Sequence, residues 1–408
     1  MRKHLLFLAQ IYPYPPTGGV TLRTYNTLRQ LAREYDVTLL SFDRRRTPPG
    51  AEVPSADRLE LEGLVGVRVF KIPQYVSRRR LLTDHLRSTV SRRVYTYYRL
   101  NSAPFLSAVR RTVSEQSPDL IHIDSLDLSA ALPWLPMSRT VVTHHNVESE
   151  LLERRAAIEE NGLKRRYFGM QAKLQLKEER TWCPRVALNV TVSDRDGDEL
   201  GRRVGGGRFL TAPNGVDVEF STPGDRPVAT QAGVVFVGGT TWFPNRDALE
   251  YFAAELFPRL TRRLPGVDVT WVGRATADEV RHYEAAGIRM TGFVDDIRGY
   301  VRNAACFVMP FRVGGGTRLK LLDAWAMGKA VVSTTQGAEG VQALDGVNIL
   351  VRDDPEEFVE AVLRVLRDAG LRSKLGRAAR ATVESSYSWE AIGAGLRHGY
   401  AQLLADSK

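Results

Sequence analysis

The residues with the most unusual chemistry lie at 311–335, in the stretch FRVGGGTRLKLLDAWAMGKAVVSTT. The glycines Gly314–Gly316 allow close backbone approach to a ligand, and Thr317 can cap the helix that the following apolar pattern predicts. Free backbone N–H groups and the positive end of the helix dipole attract phosphate at such a position. Arg318 and Lys320 lie in the first turn, where cations oppose the dipole unless an anion bridges them. The spacing therefore predicts a phosphate site.

The motifs that the sequence lacks narrow the class of phosphate ligand. Neither G-x-G-x-x-G nor G-x-x-x-x-G-K-[ST] occurs, since the GKA at Gly328–Ala330 has no hydroxyl residue. This disfavours NAD enzymes and P-loop NTPases. The sequence also has no H-E-x-x-H and no Cys/His ligand cluster, so we expect no bound metal and no cofactor. Asp323 is a candidate for binding a ribose hydroxyl, and an ordinary surface acid is the alternative.

Further glycines and polar residues directly follow short apolar segments that are typical of strands. Ligands of open α/β sheets bind outside the carboxyl ends of the strands, so we expect two sites that face each other across a cleft. The alternatives are simple turns at the glycines and a core or capping role for either histidine. The residues concerned are Gly18–Gly19, His144–His145–Asn146, Gly238–Gly239, Gly273, Gly292, Gly314–Gly316 and Thr334–Thr335.

The elements that must position these residues alternate between strand and helix. Helical spacing of apolar residues separates several of the strands, as in Thr21–Tyr35. Strands alternating with helices indicate parallel, doubly wound sheets, and two such sets indicate two Rossmann-like domains. The predicted strands are 4–11, 36–42, 67–72, 119–123, 140–144 and 187–192 in the first half, and 233–238, 267–272, 288–294, 305–310, 330–334 and 348–351 in the second.

The boundary between the two sets lies in a segment rich in glycine, proline and threonine at 212–232. We assign residues 1–212 to an N-terminal domain and 213–385 to a C-terminal domain. Residues 386–408 form a last amphipathic helix, with Ser388 as its N-cap and Glu390 in its first turn.

The composition is that of an ordinary globular protein, with 43% hydrophobic and 25% charged residues. The two cysteines, Cys183 and Cys306, show no metal or redox spacing and indicate a reducing compartment. The apolar run near the start lacks a small-residue cleavage site, so we expect a buried strand there and not a signal peptide. No apolar stretch approaches the roughly 20 residues of a membrane span. These features predict a cytoplasmic protein.

The net charge of +10 is distributed unevenly. Between Tyr75 and Arg111 the chain has nine arginines and a single acidic residue, Asp84, with tyrosines and a phenylalanine among them. Cations interleaved with aromatic residues are typical of binding to nucleic acid, to an anionic membrane surface or to a phosphorylated acceptor. A solvated helix face with a few salt bridges is the alternative.

Together these segments resemble the GT-B glycosyltransferases, specifically the large retaining family four. The donor site of that family is similar to RVGGGTRLKLLDAWAMGKAVVSTTQGAEG, a glycine-rich variant typical of a GGGTRLK-type subgroup. Its N-terminal glycine loop and first helix are similar to YPPTGGVTLRTYNTLRQL, and its H-N-V-E acceptor-side segment to THHNVESE. Its later landmarks match, in the same order, VTVSDRDGDEL, APNGVD, FVGGTTWFPNRDALEYF and GFVDDIRGYV.

The resemblance implies two Rossmann-like domains facing a central cleft, with the C-terminal helix crossing back to the N-domain. It implies that the N-domain binds the acceptor and the C-domain binds a nucleotide-diphosphate sugar. The implied reaction is a retaining, metal-independent hexosyl transfer to a hydroxyl of a glycan, a lipid-linked sugar or a small molecule. The excess of arginine, apart from the resemblance, adds the expectation of peripheral contact with the inner membrane face through Arg78–Arg111. No nucleic-acid partner is expected.

The resemblance also divides the candidate residues between donor and acceptor. His145, Arg318 and Lys320 are the expected catalytic residues, because cations beside the β-phosphate stabilise the charge that develops as the glycosyl bond breaks. Asn146 and Glu148 are expected on the acceptor side. The expected donor-binding residues are Gly18, Gly19, Gly238, Gly239, Phe293, Val294, Gly314, Gly315, Gly316, Thr317 and Asp323.

Two features depart from the family pattern. Gly315 and Asp323 stand where members often have two glutamates, and Arg246 is the only cation where many members have an Arg and a Lys after the first C-domain strand. We interpret Arg318 and Lys320 as the cations that replace this Arg and Lys.

Two other functions remain open: a GT-B nucleotide-sugar epimerase or phosphorylase, and a non-catalytic protein that binds an anionic ligand or a membrane.

Overall fold

The computed structural model describes the chain except for residues 1, 17–18, 44–60, 77, 226–232, 315–318 and 407–408. The chain forms two compact units, one of residues 1–213 with 392–408 and one of residues 214–391. Within the described residues, every helix is too short or too polar to traverse a lipid bilayer.

The first unit is built on a parallel sheet of seven strands in the order β3-β2-β1-β4-β5-β6-β7. The inner strand β1 is buried on both faces over most of its length, as expected for a sheet covered by helices on two sides. The strands are β1 Lys3–Ala9, β2 Tyr35–Asp43, β3 Leu64–Lys71, β4 Leu120–Ile123, β5 Thr140–Thr143, β6 Leu188–Thr191 and β7 Phe209–Thr211. The helices are α1 Gly19–Leu31, α2 Pro73–Val76, α3 Arg78–Ser91, α4 Tyr95–Arg99, α5 Ala103–Gln116, α6 Glu148–Ile158, α7 Gly162–Trp182 and α8 Asp194–Val204.

The second unit is built on a parallel sheet of six strands in the order β10-β9-β8-β11-β12-β13. Its core is formed by the apolar strands and the inner faces of the helices around them. The strands are β8 Val234–Val237, β9 Val269–Val272, β10 Arg289–Met290, β11 Cys306–Met309, β12 Val331–Ser333 and β13 Leu350–Val351. The helices are α9 Phe243–Tyr251, α10 Phe257–Arg263, α11 Ala277–Ala285, α12 Arg298–Asn303, α13 Leu319–Ala326, α14 Pro355–Arg367 and α15 Ala369–Ser386.

The last helix, α16 Trp389–Asp406, returns to the first unit. Ser388 caps its start by accepting a hydrogen bond from the Ala391 N–H at 3.2 Å. Its apolar residues Leu396, Tyr400 and Leu403 are buried in the same core as strands β1 and β2. The apolar spacing of the C-terminal segment thus fastens the end of the chain to the sheet where the chain begins.

Two parallel-sheet α/β domains confirm the predicted fold class. The short strand β7 was not predicted, because three half-buried residues give no readable alternation. The predicted helix Thr21–Tyr35 is too long, since α1 ends at Leu31 and Tyr35 opens β2. Tyr35 is nevertheless a core residue, and its ring lies 6.5 Å from that of Tyr400.

Candidate functional site

In the second unit, the candidate residues gather beyond the carboxyl ends of two neighbouring strands, β8 and β11. Gly238 and Gly239 directly follow β8, and the buried Phe311 follows β11. Helix α13 is the next element along the chain after β11, and it carries Lys320 in its first turn. This is the edge of the sheet where ligands of open α/β folds bind.

The Lys320 ammonium group is held at this edge by one amide and three aromatic rings. Its Nζ donates a hydrogen bond of 2.7 Å to Asn245 Oδ1. It also lies 4.8 Å from the ring centre of Phe236, 5.1 Å from that of Phe311 and 5.7 Å from that of Trp242. Cations within about 6 Å of an aromatic face are attracted by its quadrupole. These contacts hold the positive charge of Lys320 beside the loop after β8.

Gly238 leaves the space that this arrangement needs. A Cβ at Gly238 would lie 2.7 Å from Lys320 Nζ and 2.7 Å from Asn245 Nδ2, closer than real Cβ atoms approach. The Asn245 side chain is itself fixed, because its Nδ2 donates to the Gly239 carbonyl at 2.8 Å. The cation beside the loop after β8 is thus Lys320, which belongs to helix α13 and not to the loop itself. Arg246 is instead near Glu279, at 3.6 Å.

Gly273, which follows β9, brings a second loop against the first. Its φ of +148° lies in the region that favours glycine. A Cβ there would lie 2.6 Å from the Gly238 carbonyl carbon and 2.7 Å from the Gly239 nitrogen. The two glycine loops therefore touch backbone to backbone, and the Gly238 conformation depends on Gly273.

Gly273→Ala is expected to lower the free energy of unfolding by about 2 kcal/mol or more, since the unusual φ and the overpacking each cost about 1–3 kcal/mol. Denaturant unfolding would measure this. Gly299→Ala, in helix α12 with no atom within 4 Å of the new Cβ, is the matched control and should be neutral or slightly stabilising. An unchanged stability for Gly273→Ala would show that the loops are not in this contact.

Asp323 lies one turn after Lys320 on α13, and the residue is half-buried. Burial raises its pKa to about 6, and the Lys320 charge acts in the opposite direction. Within the described part of the chain the Asp323 carboxylate has no hydrogen-bond partner. These properties differ from those of an ordinary surface acid, which was the alternative to a role in binding a ribose hydroxyl.

Other candidate residues of the second unit are distributed around this edge. Phe293 is 64% exposed, and the Arg274 guanidinium lies 4.9 Å from its ring centre. Val294 is half-exposed beside it. The Gly314 carbonyl accepts a hydrogen bond of 2.7 Å from Gln336 Nε2. Lys329, the lysine of the GKA segment, is buried and donates to the carbonyls at 302 and 304, which is a structural role.

Five predicted site residues lie outside the described part of the chain: Gly18, Gly315, Gly316, Thr317 and Arg318. The phosphate site predicted from the glycine run is therefore represented by its two flanks, Gly314 before it and Lys320 after it. Gly19 is the first residue of α1 and is exposed. The roles assigned to these residues stay predictions.

In the first unit, His145 lies against a buried aspartate. Its Nε2 is 3.5 Å from Asp124 Oδ1. Asp124 directly follows β4, is 1% exposed and accepts a hydrogen bond of 2.9 Å from Thr24 Oγ1. Because β4 and β5 are neighbours in the sheet, Asp124 and His145 meet at their carboxyl ends. His145 Nε2 is buried and has no hydrogen-bond partner among the residues described, and the carboxylate that it faces is that of Asp124.

A buried arginine lies beside the same aspartate. Burial lowers the pKa of Arg23 to about 10, and the Asp124 carboxylate opposes that shift. Arg23 Nη2 donates to the Ala212 carbonyl at 2.7 Å, so the guanidinium is held in place. Its charge offsets part of the cost of keeping the Asp124 carboxylate away from water.

His144 has a different role from its neighbour. Its Nε2 lies 3.0 Å from Asn189 Oδ1 and 3.9 Å from the Cys183 sulfur. Burial lowers its pKa to about 4, so the ring is neutral at physiological pH. His144 is therefore a core histidine, the alternative considered for this pair, whereas His145 lies at the end of the sheet with Asp124.

Glu148 opens helix α6 and receives a hydrogen bond of 3.2 Å from Asn146 Nδ2. Burial raises its pKa to about 7, and the nearby Asp127 adds to the shift. The two acceptor-side candidates are thus joined directly, with a carboxyl group that changes protonation near neutral pH.

The raised pKa of Glu148 predicts a pH dependence of stability. The native carboxyl group binds its proton more tightly than the unfolded one, so its contribution to stability is lost as the pH rises from about 5 through 7. Glu148→Gln keeps the acceptor for Asn146 and removes the titration. We expect the variant to gain in melting temperature over the parent between pH 5 and pH 8. A constant difference across this range would contradict the raised pKa.

Several residues of these two clusters were not identified as candidates from the sequence. Asp124 follows its strand directly in LIHID, which was a usable signal. Asn245 and the rings around Lys320 gave none, since the contact joins segments far apart in the chain. Within the part of the chain that the structure describes, no group of three His, Cys, Asp or Glu residues is arranged to hold a metal ion.

Comparison with known proteins agrees with this arrangement of residues. A family model described as Glycosyltransferase Family 4 matches residues 17–220, half of the chain. A second model, Glycosyl transferases group 1, matches residues 231–368. The first match covers most of the first unit and extends to residue 220, just inside the second, and the second match lies within the second unit.

Curated relatives match parts of the chain. A phosphatidyl-myo-inositol mannosyltransferase of Mycolicibacterium smegmatis is 30% identical over 209 residues, which cover 48% of this chain and 52% of that protein. The lipopolysaccharide core biosynthesis glycosyltransferase LpsE of Rhizobium meliloti is 33% identical over 153 residues, which cover 35% and 43%. The chain thus spans about half the length of the curated relatives it matches.

Solved structures match over the whole fold. Sucrose-phosphate synthase from Thermosynechococcus elongatus is similar with a TM-score of 0.71 at 17% identity, covering 99% of this chain and 100% of that one. Anabaena Alr3699/HepE, solved in complex with UDP, is similar with a TM-score of 0.65 at 16% identity, covering 98% and 100%. The family matches on both units, together with this fold, show that the chain belongs to glycosyltransferase family 4 and has the GT-B architecture.

Proposed function

We propose that the protein transfers a sugar from a nucleoside-diphosphate sugar to an acceptor hydroxyl, with the second unit binding the donor and the first binding the acceptor. The observation that carries the proposal is the Lys320 ammonium group, fixed by Asn245 and three aromatic rings beside the glycine loops. A diphosphate is the ligand chemistry that such a cation fits. HepE in complex with UDP-glucose, a protein of similar fold, supports this choice of donor class.

On the donor side, Lys320 and Arg318 neutralise the diphosphate as the glycosyl bond breaks, and the backbone N–H groups of Gly314–Thr317 contact the β-phosphate. Asp323 binds the ribose hydroxyls, and the backbone at Phe293–Val294 faces the base. The cations take the place of a metal ion, and the anomeric configuration is retained. Gly18, Gly19, Gly238 and Gly239 complete the donor-binding set.

On the acceptor side, His145 contacts the reacting sugar, and Asp124 orients its imidazole ring. The distance of 3.5 Å between the two side chains supports this pairing. Asn146 and Glu148, which are hydrogen-bonded to each other, bind acceptor hydroxyls. The acceptor is a glycan, a lipid-linked sugar or a small molecule. The similarity to a phosphatidyl-myo-inositol mannosyltransferase and to a glycosyltransferase of lipopolysaccharide core biosynthesis favours a lipid-linked or polysaccharide acceptor.

We also propose that the first unit works at an anionic membrane surface on the cytoplasmic side. The excess of arginine between Arg78 and Arg111 supports membrane contact. The two cysteines, Cys183 and Cys306, are buried free thiols, in keeping with a reducing compartment.

Thermal unfolding with a panel of UDP, GDP, TDP and ADP sugars tests the proposal. One donor at 100 times its Kd should add about 2.7 kcal/mol of stability, whereas the others should add much less. The shift should persist in a metal chelator. A panel in which no nucleotide sugar raises the melting temperature would overturn the proposed donor class.

A further inference from the structure

Helix α3 (Arg78–Ser91) has the reverse of the usual amphipathic arrangement. The side chains that it buries in the first unit are polar, with Asp84 and Ser88 both inaccessible to solvent. The side chains that it exposes include its large apolar residues, and Leu82 is 74%, Leu86 65% and Val90 76% exposed. A helix on a globular protein ordinarily turns its apolar stripe toward the core.

Polar contacts fix α3 in this orientation. Asp84 accepts a hydrogen bond of 2.9 Å from Gln74 and lies within 3.6 Å of two arginines, Arg80 and Arg87. Ser88 Oγ donates to the Arg93 carbonyl at 2.7 Å and accepts from Gln171 at 2.8 Å. Turning the helix to bury its apolar stripe would break these buried bonds, each of which is costly to leave unmade.

The exposed apolar residues form one continuous stripe. Leu82, Leu86 and Val90 follow each other at intervals of four residues, so they lie on one face over about 12 Å of helix at 1.5 Å per residue. A contiguous apolar stripe that buried polar contacts keep exposed to solvent is typical of an interaction surface.

The start of helix α7 adds a second apolar and basic patch beside α3. The His85 ring on α3 is hydrogen-bonded to the Tyr167 hydroxyl at 2.6 Å, which ties the two helices together. In the turn before Tyr167, Leu163 is 84% exposed, and the three cations of 164–166 are exposed as well. The apolar stripe is thus accompanied by cations on both helices.

The charges around the stripe select the partner. Arg79, Arg87 and Arg92 are exposed on or next to α3, whereas Asp84, the acidic residue of that helix, is buried. A second copy of this face would bring cations against cations, which disfavours self-association. An anionic lipid surface offers both phosphates for the cations and acyl chains for the leucines.

We infer that α3 and the start of α7 form an interfacial docking face, in which Leu82, Leu86 and Val90 insert below the headgroups of an anionic leaflet. The exposed cations contact the headgroup phosphates. Arg80 and Arg93 contribute little, because Arg80 donates to the Asn101 carbonyl at 2.8 Å and Arg93 stacks on Tyr97 at 4.3 Å. The inference rests on the proposed membrane contact of the first unit and not on sugar transfer.

Sedimentation with vesicles of phosphatidylcholine, with and without phosphatidylglycerol, tests the docking face. The parent should bind the anionic vesicles, and part of the binding should survive 1 M salt, where charge attraction is screened within about 3 Å. The triple variant Leu82→Gln, Leu86→Gln, Val90→Thr should bind about tenfold more weakly, a change of about 1.4 kcal/mol. Leu344→Gln with Val347→Thr, which changes two apolar residues that are 57% and 49% exposed on the second unit, should bind as the parent does.

Insertion itself is measured with a fluorophore on Leu86→Cys. The native thiols of Cys183 and Cys306 are buried and burial raises their pKa, so labelling is confined to the new cysteine. The emission should shift to shorter wavelength on anionic vesicles only.

Three results would overturn the docking face. In the first, the parent stays in the supernatant with both vesicle types. In the second, the triple variant, shown to be folded by its melting temperature, binds as the parent does. In the third, light scattering shows a dimer that the triple variant dissociates. Donor titration of the same variant keeps the two proposals apart, since docking can fail while nucleotide binding is intact.

Discussion

Lys320→Met is expected to weaken binding of the nucleotide-sugar donor at least tenfold. Methionine keeps an unbranched apolar side chain at this position and removes the ammonium group, with its charge and its hydrogen bond to Asn245. Loss of a charge-assisted hydrogen bond costs about 1.5–3 kcal/mol, which corresponds to roughly 10- to 150-fold in affinity. Calorimetric titration of the donor identified by thermal unfolding would measure the change.

The control for this substitution is Lys374→Met, which removes the same charge from an exposed position on the second unit. It should leave the affinity unchanged and thereby exclude a general effect of net charge. Changing Arg318 together with Lys320 should weaken binding further than Lys320→Met alone. If a folded double variant binds every donor tested as the parent does, the proposal of a phosphate site at this edge of the sheet is wrong.

His145→Ala is expected to lower turnover at least a hundredfold while changing donor affinity little. His145 belongs to the first unit, whereas Lys320, Asp323 and the other proposed donor contacts except Gly18 and Gly19 belong to the second. Positioned acid–base groups contribute about 10²- to 10⁴-fold to rate, and the Asp124 carboxylate, 3.5 Å from His145 Nε2, is placed to orient the imidazole ring for such a role. Asp124→Asn should produce a smaller loss, because the imidazole remains but is less well oriented.

A rate assay beside calorimetric titration separates the possible roles of His145. His282→Ala, which removes an exposed histidine from α11, is the control and should leave both quantities unchanged. Equal losses of binding and rate in His145→Ala would move the residue into the donor pocket. An unchanged rate would make it a structural histidine like His144.

The positions of the strands were readable from the sequence because buried parallel strands are nearly continuous apolar runs. All the predicted strands were found, and the glycines and His145 do follow strand ends, as Gly238, Gly273 and His145 illustrate. What failed was local: β7 is too short to show a period, and Tyr35 fits a helical spacing although it packs as a strand residue.

The contacts within the site could not be predicted, because they depend on which strands are neighbours. Lys320 reaches Gly238 and Asn245 because β11 lies next to β8 in the sheet, and Asp124 reaches His145 because β5 lies next to β4. The order of strands in a sheet is not contained in the apolar periodicity of each segment. The exposure of the apolar stripe of α3 could not be predicted for a similar reason. The spacing of its apolar residues shows that they share one face of the helix, but not whether that face points to the core or to solvent.

The release of a nucleoside diphosphate is the measurement that tests the central claim most directly. The protein would be incubated with each nucleotide sugar, a lipid-linked or glycan acceptor and a metal chelator, and the products separated by chromatography. We predict that one donor yields its nucleoside diphosphate together with a glycosylated acceptor, and that Lys320→Met and His145→Ala both suppress the product. Recovery of every donor unchanged, or release of free sugar or sugar phosphate in place of a glycosylated acceptor, would contradict the assignment as a sugar transferase.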